Sequence, residues 1–214
     1  MSNFGLLLTV IEPRPEAEAE FNAWYDTEHI VERVSIPGFL SARRWVADVK
    51  PGEGKYLATY ELVSPGVFDS DAYRARLANP TPWTQRSLGS TVVFRRWACE
   101  QINPGEALPS MMAHAQFVAI GDAPPEYEDE FNRWYDEEHL PLLSQVPGVL
   151  RARRFFDPNG KPRYVALYDL ADDSVPQHAD WQAALRTDWS RKIGKLTRNC
   201  EWILQLYRSY TPAA

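Results

Sequence analysis

Two short segments of the chain place an asparagine, an aspartate and a histidine at the same spacing. In Glu20–His29 they are Asn22, Asp26 and His29, and 110 positions later Glu130–His139 repeats them with eight of ten residues identical. At 3.6 residues per turn, the three polar side chains share one narrow stripe of a helix. An aspartate one turn from a histidine fixes its tautomer and raises its basicity, which suits a general base. We call these segments the N-terminal motif and the C-terminal motif.

The similarity between the two halves of the chain extends beyond the motifs. The pairs Pro37-Gly38 and Pro147-Gly148 follow them at the same distance, and further matches continue through the next strands. The chain therefore has the pattern of a tandem repeat of one unit. We predict two domains, residues 1–105 and 112–210, joined by a linker rich in proline and glycine.

Each predicted domain contains a strand, a helix, two strands, a second helix and a last strand. Predicted helices cover 16–34, 69–78, 126–146 and 176–196, and predicted strands cover 4–11, 39–49, 55–63, 91–102, 115–120, 149–156, 163–170 and 199–207. This order is typical of the ferredoxin-like βαββαβ arrangement, whose antiparallel sheet carries helices on one face. We therefore expect an α+β fold in which two ferredoxin-like repeats pack their sheets face to face as a pseudo-dimeric alpha-beta barrel.

Composition bears on whether the protein binds nucleic acid or a membrane, and on the cellular compartment in which it is found. A net charge of -6 argues against a nucleic-acid-binding protein, because no basic stripe is present to gather phosphates. Cys99 and Cys200 form neither a disulfide framework nor a metal knuckle, which favours a reducing, cytoplasmic location. The first apolar run is too short to span a bilayer and no basic segment precedes it, so no membrane association is expected. A homodimer is possible, but the fusion of two units does not require one.

The motif and its surroundings resemble a known superfamily. Phe-Asn-x-Trp-Tyr-Asp-x-Glu-His, followed by a Pro-Gly pair and Ala-Arg-Arg, is similar to the dimeric alpha-beta barrel superfamily, close to its EthD-like branch, over nearly the whole chain, twice. The resemblance implies a small-molecule protein, since members include cofactor-free monooxygenases, polyketide cyclases and dehydratases, lactone isomerases and haem-handling enzymes. Glu138-His139-Leu140-Pro141 fits the branch's Glu-His-x-Pro pattern, whereas the N-terminal motif has Val31 in place of the proline. Pro141 removes a backbone donor, so we expect the second helix to kink beside an opened pocket and the first to continue regularly.

Charged and aromatic residues on the strands add to the candidate site. Strand alternation sends one arginine of each Arg-Arg pair, Arg44 and Arg154, to the same face as the helices. There an arginine can hold a carboxylate or a developing enolate, or simply form an ion pair with Glu28 or Glu138. The tyrosines that share a strand face, at 56 and 60 and at 164 and 168, either line a pocket for an aromatic substrate or fill the core.

Several other chemistries lack their sequence signals. Each motif offers one histidine without the spacing of a zinc site, and the chain has neither a glycine-rich phosphate loop nor a Gly-x-Ser-x-Gly elbow. Haem, with a histidine as axial ligand, is implied only by the resemblance. We therefore predict no metal and no cofactor.

The sequence favours a cofactor-independent enzyme that acts on a small aromatic or polyketide-like carbonyl compound by proton transfer, as an isomerase, dehydratase, cyclase or lyase. The alternatives are a cofactor-free monooxygenase of a phenol and a non-catalytic small-molecule-binding protein in which the motif only locks helix to sheet. The predicted catalytic residues are His139, Asp136, Tyr135, Asn132, Arg154, His29 and Asp26. The predicted substrate-binding residues are Trp134, Glu138, Tyr164, Tyr168, Trp24, Tyr25 and Arg44.

Overall fold

A computed structural model describes residues 3–212 of the chain, which contain eight strands and eight short α-helices. The strands are β1 Gly5–Pro13, β2 Phe39–Val46, β3 Tyr56–Leu62, β4 Thr91–Asn103, β5 Ala115–Gly121, β6 Val149–Phe156, β7 Tyr164–Leu170 and β8 Trp202–Ser209. The helices are α1 Glu18–Trp24, α2 Ile30–Val34, α3 Asp71–Ala78, α4 Pro82–Gly89, α5 Glu128–Trp134, α6 Leu140–Ser144, α7 Ala179–Ala184 and α8 Asp188–Leu196. All eight predicted strands are present.

Among the described residues, one compact unit contains 3–101 and 209–212. Its strands are antiparallel in the order β4-β1-β3-β2, with Leu8 opposite Thr59 at the centre of the β1–β3 pair. Strand β1 is buried along its whole length, as its nearly continuous apolar sequence requires. The tyrosines of β3 pack with Phe21, Trp24 and Tyr25 from the first helical segment, so they belong to the core of this unit.

The other compact unit contains residues 102–208. Its strands follow the order β8-β5-β7-β6, again antiparallel, and every residue of β7 is buried. Phe131, Trp134 and Tyr135 pack with Tyr164 and Tyr168 in the same way. Within residues 3–212, no helix combines the length and the apolar character that crossing a membrane requires.

The strand order corrects the predicted fold class. The eight described strands form one closed barrel in the order β1-β3-β2-β8-β5-β7-β6-β4. The prediction of two ferredoxin-like repeats with separate sheets packed face to face is therefore wrong. A four-stranded sheet leaves unpaired N–H and C=O groups along both edges, and closure into a barrel removes those edges.

The motif helices correct a second prediction. In both motifs an α-helix passes into a π-helical turn, Tyr25–His29 or Tyr135–His139, and then into a further α-helical segment. The expectation of a kink at Pro141 and a regular helix in the N-terminal motif is wrong, because both motifs share the same irregular turn. Pro141 lies just after the π-helical turn, as the second residue of α6.

Strand β5 ends at a glycine that leaves room for a tryptophan. A Cβ atom on Gly121 would lie 2.4 Å from Cε3 of Trp202, much closer than real contacts allow. We predict that Gly121→Ala displaces the indole and lowers the free energy of unfolding by about 1–3 kcal/mol, the usual cost of overpacking. Urea denaturation checks this, with Gly89→Ala as the control, since a Cβ there meets nothing within 4 Å. Equal stability of the two variants would contradict the prediction.

Candidate functional site

The π-helical turn decides which side chains of the C-terminal motif meet. The backbone N–H of Leu140 donates to the carbonyl oxygen of Tyr135, five residues earlier, so the turn holds one residue more than an α-helical turn. The residues after it are rotated relative to regular α-helical periodicity. The predicted single stripe of Asn132, Asp136 and His139 is consequently wrong, because Asn132 and Asp136 contact an arginine while His139 packs among aromatic rings.

His139 is enclosed by the aromatic side chains of its own helix. Its ring stacks on Trp134 with centroids 4.1 Å apart and meets the edge of Tyr135 at 5.2 Å. Only 6% of the residue is exposed, and its Nδ1 atom is buried without a hydrogen-bond partner among the described residues. Burial, assisted by the positive charge of Arg154, lowers the pKa of the imidazole from 6.5 to about 3. His139 is therefore neutral at physiological pH.

Asp136 contacts Arg154 rather than His139. Its carboxylate lies 3.8 Å from Nη1 of Arg154 and accepts a hydrogen bond from Asn103, while half of the side chain is exposed. Asn132 accepts a 2.6 Å bond from Arg154, whose guanidinium lies 4.2 Å from the ring centre of Tyr135. The predicted Asp-His pair is wrong in the structure, and so is Glu138 as the partner of Arg154. Arg154 joins strand β6 to the motif helix.

A cavity of about 390 Å³ opens next to His139 within residues 102–208. Four of the predicted site residues line it, namely Trp134, Tyr135, His139 and Tyr168. The rest of the wall is mostly apolar and includes Phe117, Leu143, Trp181, Ile193, Trp202 and Leu204. Arg198, an exposed residue, also lines it. Cavities of this size bind small organic ligands.

Five other predicted residues of the C-terminal motif and its strands lie outside the cavity wall. They are Asn132, Asp136, Glu138, Arg154 and Tyr164. Glu138 accepts a 2.6 Å hydrogen bond from the hydroxyl of Thr187, which caps α8. The hydroxyl of Tyr164 donates to Glu128 at 2.5 Å and accepts from Asn132 at 3.2 Å. In the described structure these residues make contacts that hold helices in place.

The N-terminal motif has the same arrangement around His29. The ring centroid of His29 lies 4.4 Å from that of Trp24 and 4.8 Å from that of Tyr25. Burial, together with the charges of Arg33 and Arg44, lowers the pKa of His29 to about 3. Asp26 contacts Arg44 at 2.5 Å, so the predicted pairing of Asp26 with His29, and of Arg44 with Glu28, is wrong here as well.

The two motifs differ in what surrounds their histidines. Arg33 occupies the position that Leu143 has in the C-terminal motif, and its guanidinium lies 5.6 Å from the ring centre of Tyr73. Its Nη1 atom is buried without a hydrogen-bond partner among residues 3–212. A long cationic side chain thus stands near His29 where an aliphatic one lines the cavity near His139.

Sequence reasoning missed most of the cavity wall. Trp181 and α8 lie in the segment that was predicted as one helix, 176–196, but the structure ends α7 at Ala184 and begins α8 at Asp188. The Thr187 cap was the available signal, because a threonine that precedes an acidic first turn favours a helix start. No sequence pattern indicates that Trp202 and Phe117 face this space.

The residues beside His139 do not fit a metal or a haem iron. A metal-ligating histidine almost always donates its second N–H to a carboxylate, carbonyl or water, whereas Nδ1 of His139 is buried without a protein partner in the described structure. No group of three or more metal-binding side chains occurs among residues 3–212.

No protein-family model matches the chain, and no curated protein matches it either. Solved structures do match: an anthrone oxidase-like protein shares 13% identity with a TM-score of 0.64, covering 99% of this chain and 92% of its own. Chlorite dismutase from Candidatus Nitrospira defluvii shares 8% identity with a TM-score of 0.61, and the match covers 98% of this chain and 92% of that protein. A monooxygenase-like protein from Lactobacillus acidophilus NCFM shares 9% identity with a TM-score of 0.56, and the match covers 98% of this chain and 94% of that protein. These neighbours are dimeric alpha-beta barrel proteins. This chain has their fold. At such identities the likeness extends to the fold alone.

The buried histidines make stability depend on pH. In the unfolded chain an imidazole binds a proton near pH 6.5, but in the folded chain only near pH 3, so the unfolded state binds more protons between these values. Stability should therefore fall as pH decreases from 6.5 towards 3, by about 2 kcal/mol per histidine at pH 5. His139→Gln should reduce this loss, and His29→Gln should reduce it by a similar amount. Urea denaturation of wild type and of the two variants at pH 7 and pH 5 measures these losses of stability. The same loss in wild type and in both variants would refute the low pKa of the two histidines.

Proposed function

We propose that residues 102–208 bind a small, uncharged aromatic compound that carries an oxygen atom, and that His139 accepts a proton from it. The observation that supports this most is a neutral histidine in the wall of an otherwise largely apolar, aromatic cavity. The reaction is then the proton transfer inferred from the sequence, but Asp136 takes no part in moving the proton.

The cavity wall favours flat aromatic ligands. Trp134, Trp181 and Trp202 supply large ring faces, and Phe117 meets the edge of Trp181 at 5.3 Å between centroids. Aromatic faces and edges pack best against other rings, with centroids about 4.5–7 Å apart. Since the buried part of the wall has no charged side chain among those described, a neutral ligand enters without leaving an ion unpaired.

The low pKa of His139 defines the kind of step it performs. An imidazole with a pKa of about 3 does not take a proton from solvent at neutral pH, so one of its ring nitrogens keeps its lone pair. As the ligand loses a proton, the anion formed beside the ring favours the imidazolium and raises its pKa. The product of this step is an enolate or phenolate paired with protonated His139.

Asp136, Asn132 and Arg154 act at a distance in this proposal. Arg154 holds Asn132 directly and contacts the Tyr135 ring, which lines the cavity. We assign these three residues the positioning of the motif helix rather than contact with the ligand. The N-terminal residues Trp24, Tyr25, Asp26, His29 and Arg44 form a matching structural set in the other unit.

Oxygen chemistry is the second candidate function. Three neighbours are described as anthrone oxidase-like or monooxygenase-like, and an aromatic carbanion or phenolate is the species that reacts with O₂ without a cofactor. For an anthrone, loss of a methylene proton would give that anion. Reaction with O₂ then places one oxygen atom on the methylene carbon to form the quinone, and the other leaves as water.

Hydrogen exchange tests the proton step without knowledge of the natural substrate. Under anaerobic conditions in D₂O, the protein should accelerate exchange of the methylene protons of anthrone, measured by NMR. His139→Gln should lower the accelerated rate by about 10²–10⁴-fold, the usual contribution of a general base. His29→Gln is the matched control and should exchange as wild type does. No acceleration by the wild-type protein, or full acceleration by His139→Gln, would contradict the proposal.

The same anthrone sample separates the two reactions. After admission of air, oxygen uptake that requires His139 would support an oxidase, whereas exchange without uptake would support isomerase- or lyase-type proton transfer. Binding without exchange would leave the chain as a small-molecule-binding protein.

A further inference from the structure

Each unit contains two buried tyrosines, one from the motif and one from the strand that it faces. In the N-terminal unit the hydroxyl of Tyr60 donates to that of Tyr25 at 2.9 Å, and Thr9 Oγ1 lies 3.5 Å from the Tyr25 hydroxyl. Three hydroxyl groups therefore satisfy one another inside an otherwise apolar core.

The corresponding positions of the C-terminal unit lack that chain of hydroxyls. Ala119 takes the place of Thr9, since it is opposite Ala166 of β7 as Thr9 is opposite Ala58 of β3. The hydroxyl of Tyr168 is buried and has no hydrogen-bond partner among residues 3–212. A buried hydroxyl without a partner is destabilising, and native proteins seldom retain one without a reason.

The residue that carries the unsatisfied hydroxyl is one of those that line the cavity. Tyr168 and Tyr135 both line the cavity beside His139, and they are 1% and 3% exposed. Tyr168 also contacts Trp181 of the same wall, with ring centroids 5.4 Å apart at 75°. An oxygen atom on a ligand ring in this cavity would give Tyr168 the hydrogen bond that Tyr60 obtains from Tyr25.

We propose that Tyr135 and Tyr168 bind one oxygen atom of the ligand, a carbonyl or hydroxyl oxygen attached directly to an aromatic ring system. This inference rests on the proposed function, because it assigns the ligand to the same cavity, and it narrows the substrate class to ring-bound phenols, enols and ketones. An aromatic hydrocarbon of the same shape would leave the Tyr168 hydroxyl unsatisfied and bind less tightly.

The tyrosine pair also suits the charge that proton loss creates. Burial raises the pKa of Tyr135 to about 12 and that of Tyr168 well above its ordinary value, so both remain protonated donors. When His139 takes a proton from the ligand, negative charge develops on the ring-bound oxygen. Two neutral donors fixed beside that oxygen stabilise it more in the transition state than in the ground state.

The first part of the test compares stability. Tyr168→Phe removes a hydroxyl that has no partner, so the urea midpoint of the unliganded protein should stay the same or rise. Tyr60→Phe, the matched control, removes a hydroxyl that donates at 2.9 Å, so its midpoint should fall. A fall for Tyr168→Phe as large as that for Tyr60→Phe would show a satisfied hydroxyl and overturn the proposal.

The second part compares 2-naphthol with naphthalene by equilibrium dialysis. Wild type and Tyr60→Phe should bind 2-naphthol about 10- to 100-fold more tightly than naphthalene, the ratio that one buried hydrogen bond supplies. Tyr168→Phe should lose most of this preference and keep its affinity for naphthalene. If Tyr168→Phe still bound 2-naphthol much more tightly than naphthalene, the assignment of the Tyr168 hydroxyl to the ligand oxygen would be overturned.

The outcomes separate this inference from the proposed function. Equal binding of both probes, with anthrone exchange still dependent on His139, would overturn the tyrosine pair and leave the proton step standing. A full preference for 2-naphthol without any anthrone exchange would support the tyrosine pair and contradict the proton step. Failure of both naphthalene probes to bind would overturn the tyrosine pair, and the proton step would be overturned with it only if anthrone exchange were also absent.

Discussion

The extra residue in one helical turn is the constraint on which the site depends. In a regular α-helix Asp136 and His139 would share a face. The π-helical turn from Tyr135 to His139 instead leaves Asp136 beside Arg154 and turns the imidazole onto Trp134. A charged network and an uncharged cavity wall are thus built from neighbouring positions of one short segment. The low pKa of His139, and with it the proposed proton step, follows from that separation.

The sequence predicted the strands and the importance of the motif, but not the grouping of its side chains. Alternation along β2 and β6 correctly sent Arg44 and Arg154 towards the helices, because strand periodicity is robust. Helical periodicity failed at His29 and His139, since a π-helical turn has no sequence signature and shifts every later residue. The closed barrel was also missed. Whether edge strands pair onward depends on contacts between segments far apart in the chain, which local patterns do not contain.

The two motifs share eight of ten residues but have different surroundings. Around His29, the hydroxyls of Thr9, Tyr25 and Tyr60 satisfy one another, and Arg33 stands near the ring. Around His139, Leu143 and Ala119 line the cavity. Sequence identity within the motif therefore did not reveal which histidine lies beside a cavity. The difference comes from residues outside the motif, each of which is unremarkable by itself.

Helix α8 is hydrogen-bonded to the helical segment that carries the histidine, and this would govern how fast the proposed ligand exchanges. Thr187 donates to Glu138, the residue before His139, and Trp134 donates to Ser190 in the first turn of α8. Ile193 and Thr197 are part of the cavity wall, so a ligand that needs α8 to move must wait until both hydrogen bonds break. A bond to a carboxylate contributes about 1.5–3 kcal/mol, enough to slow such an opening by one to two orders of magnitude. Residence time in the cavity is thereby linked to the position of the imidazole.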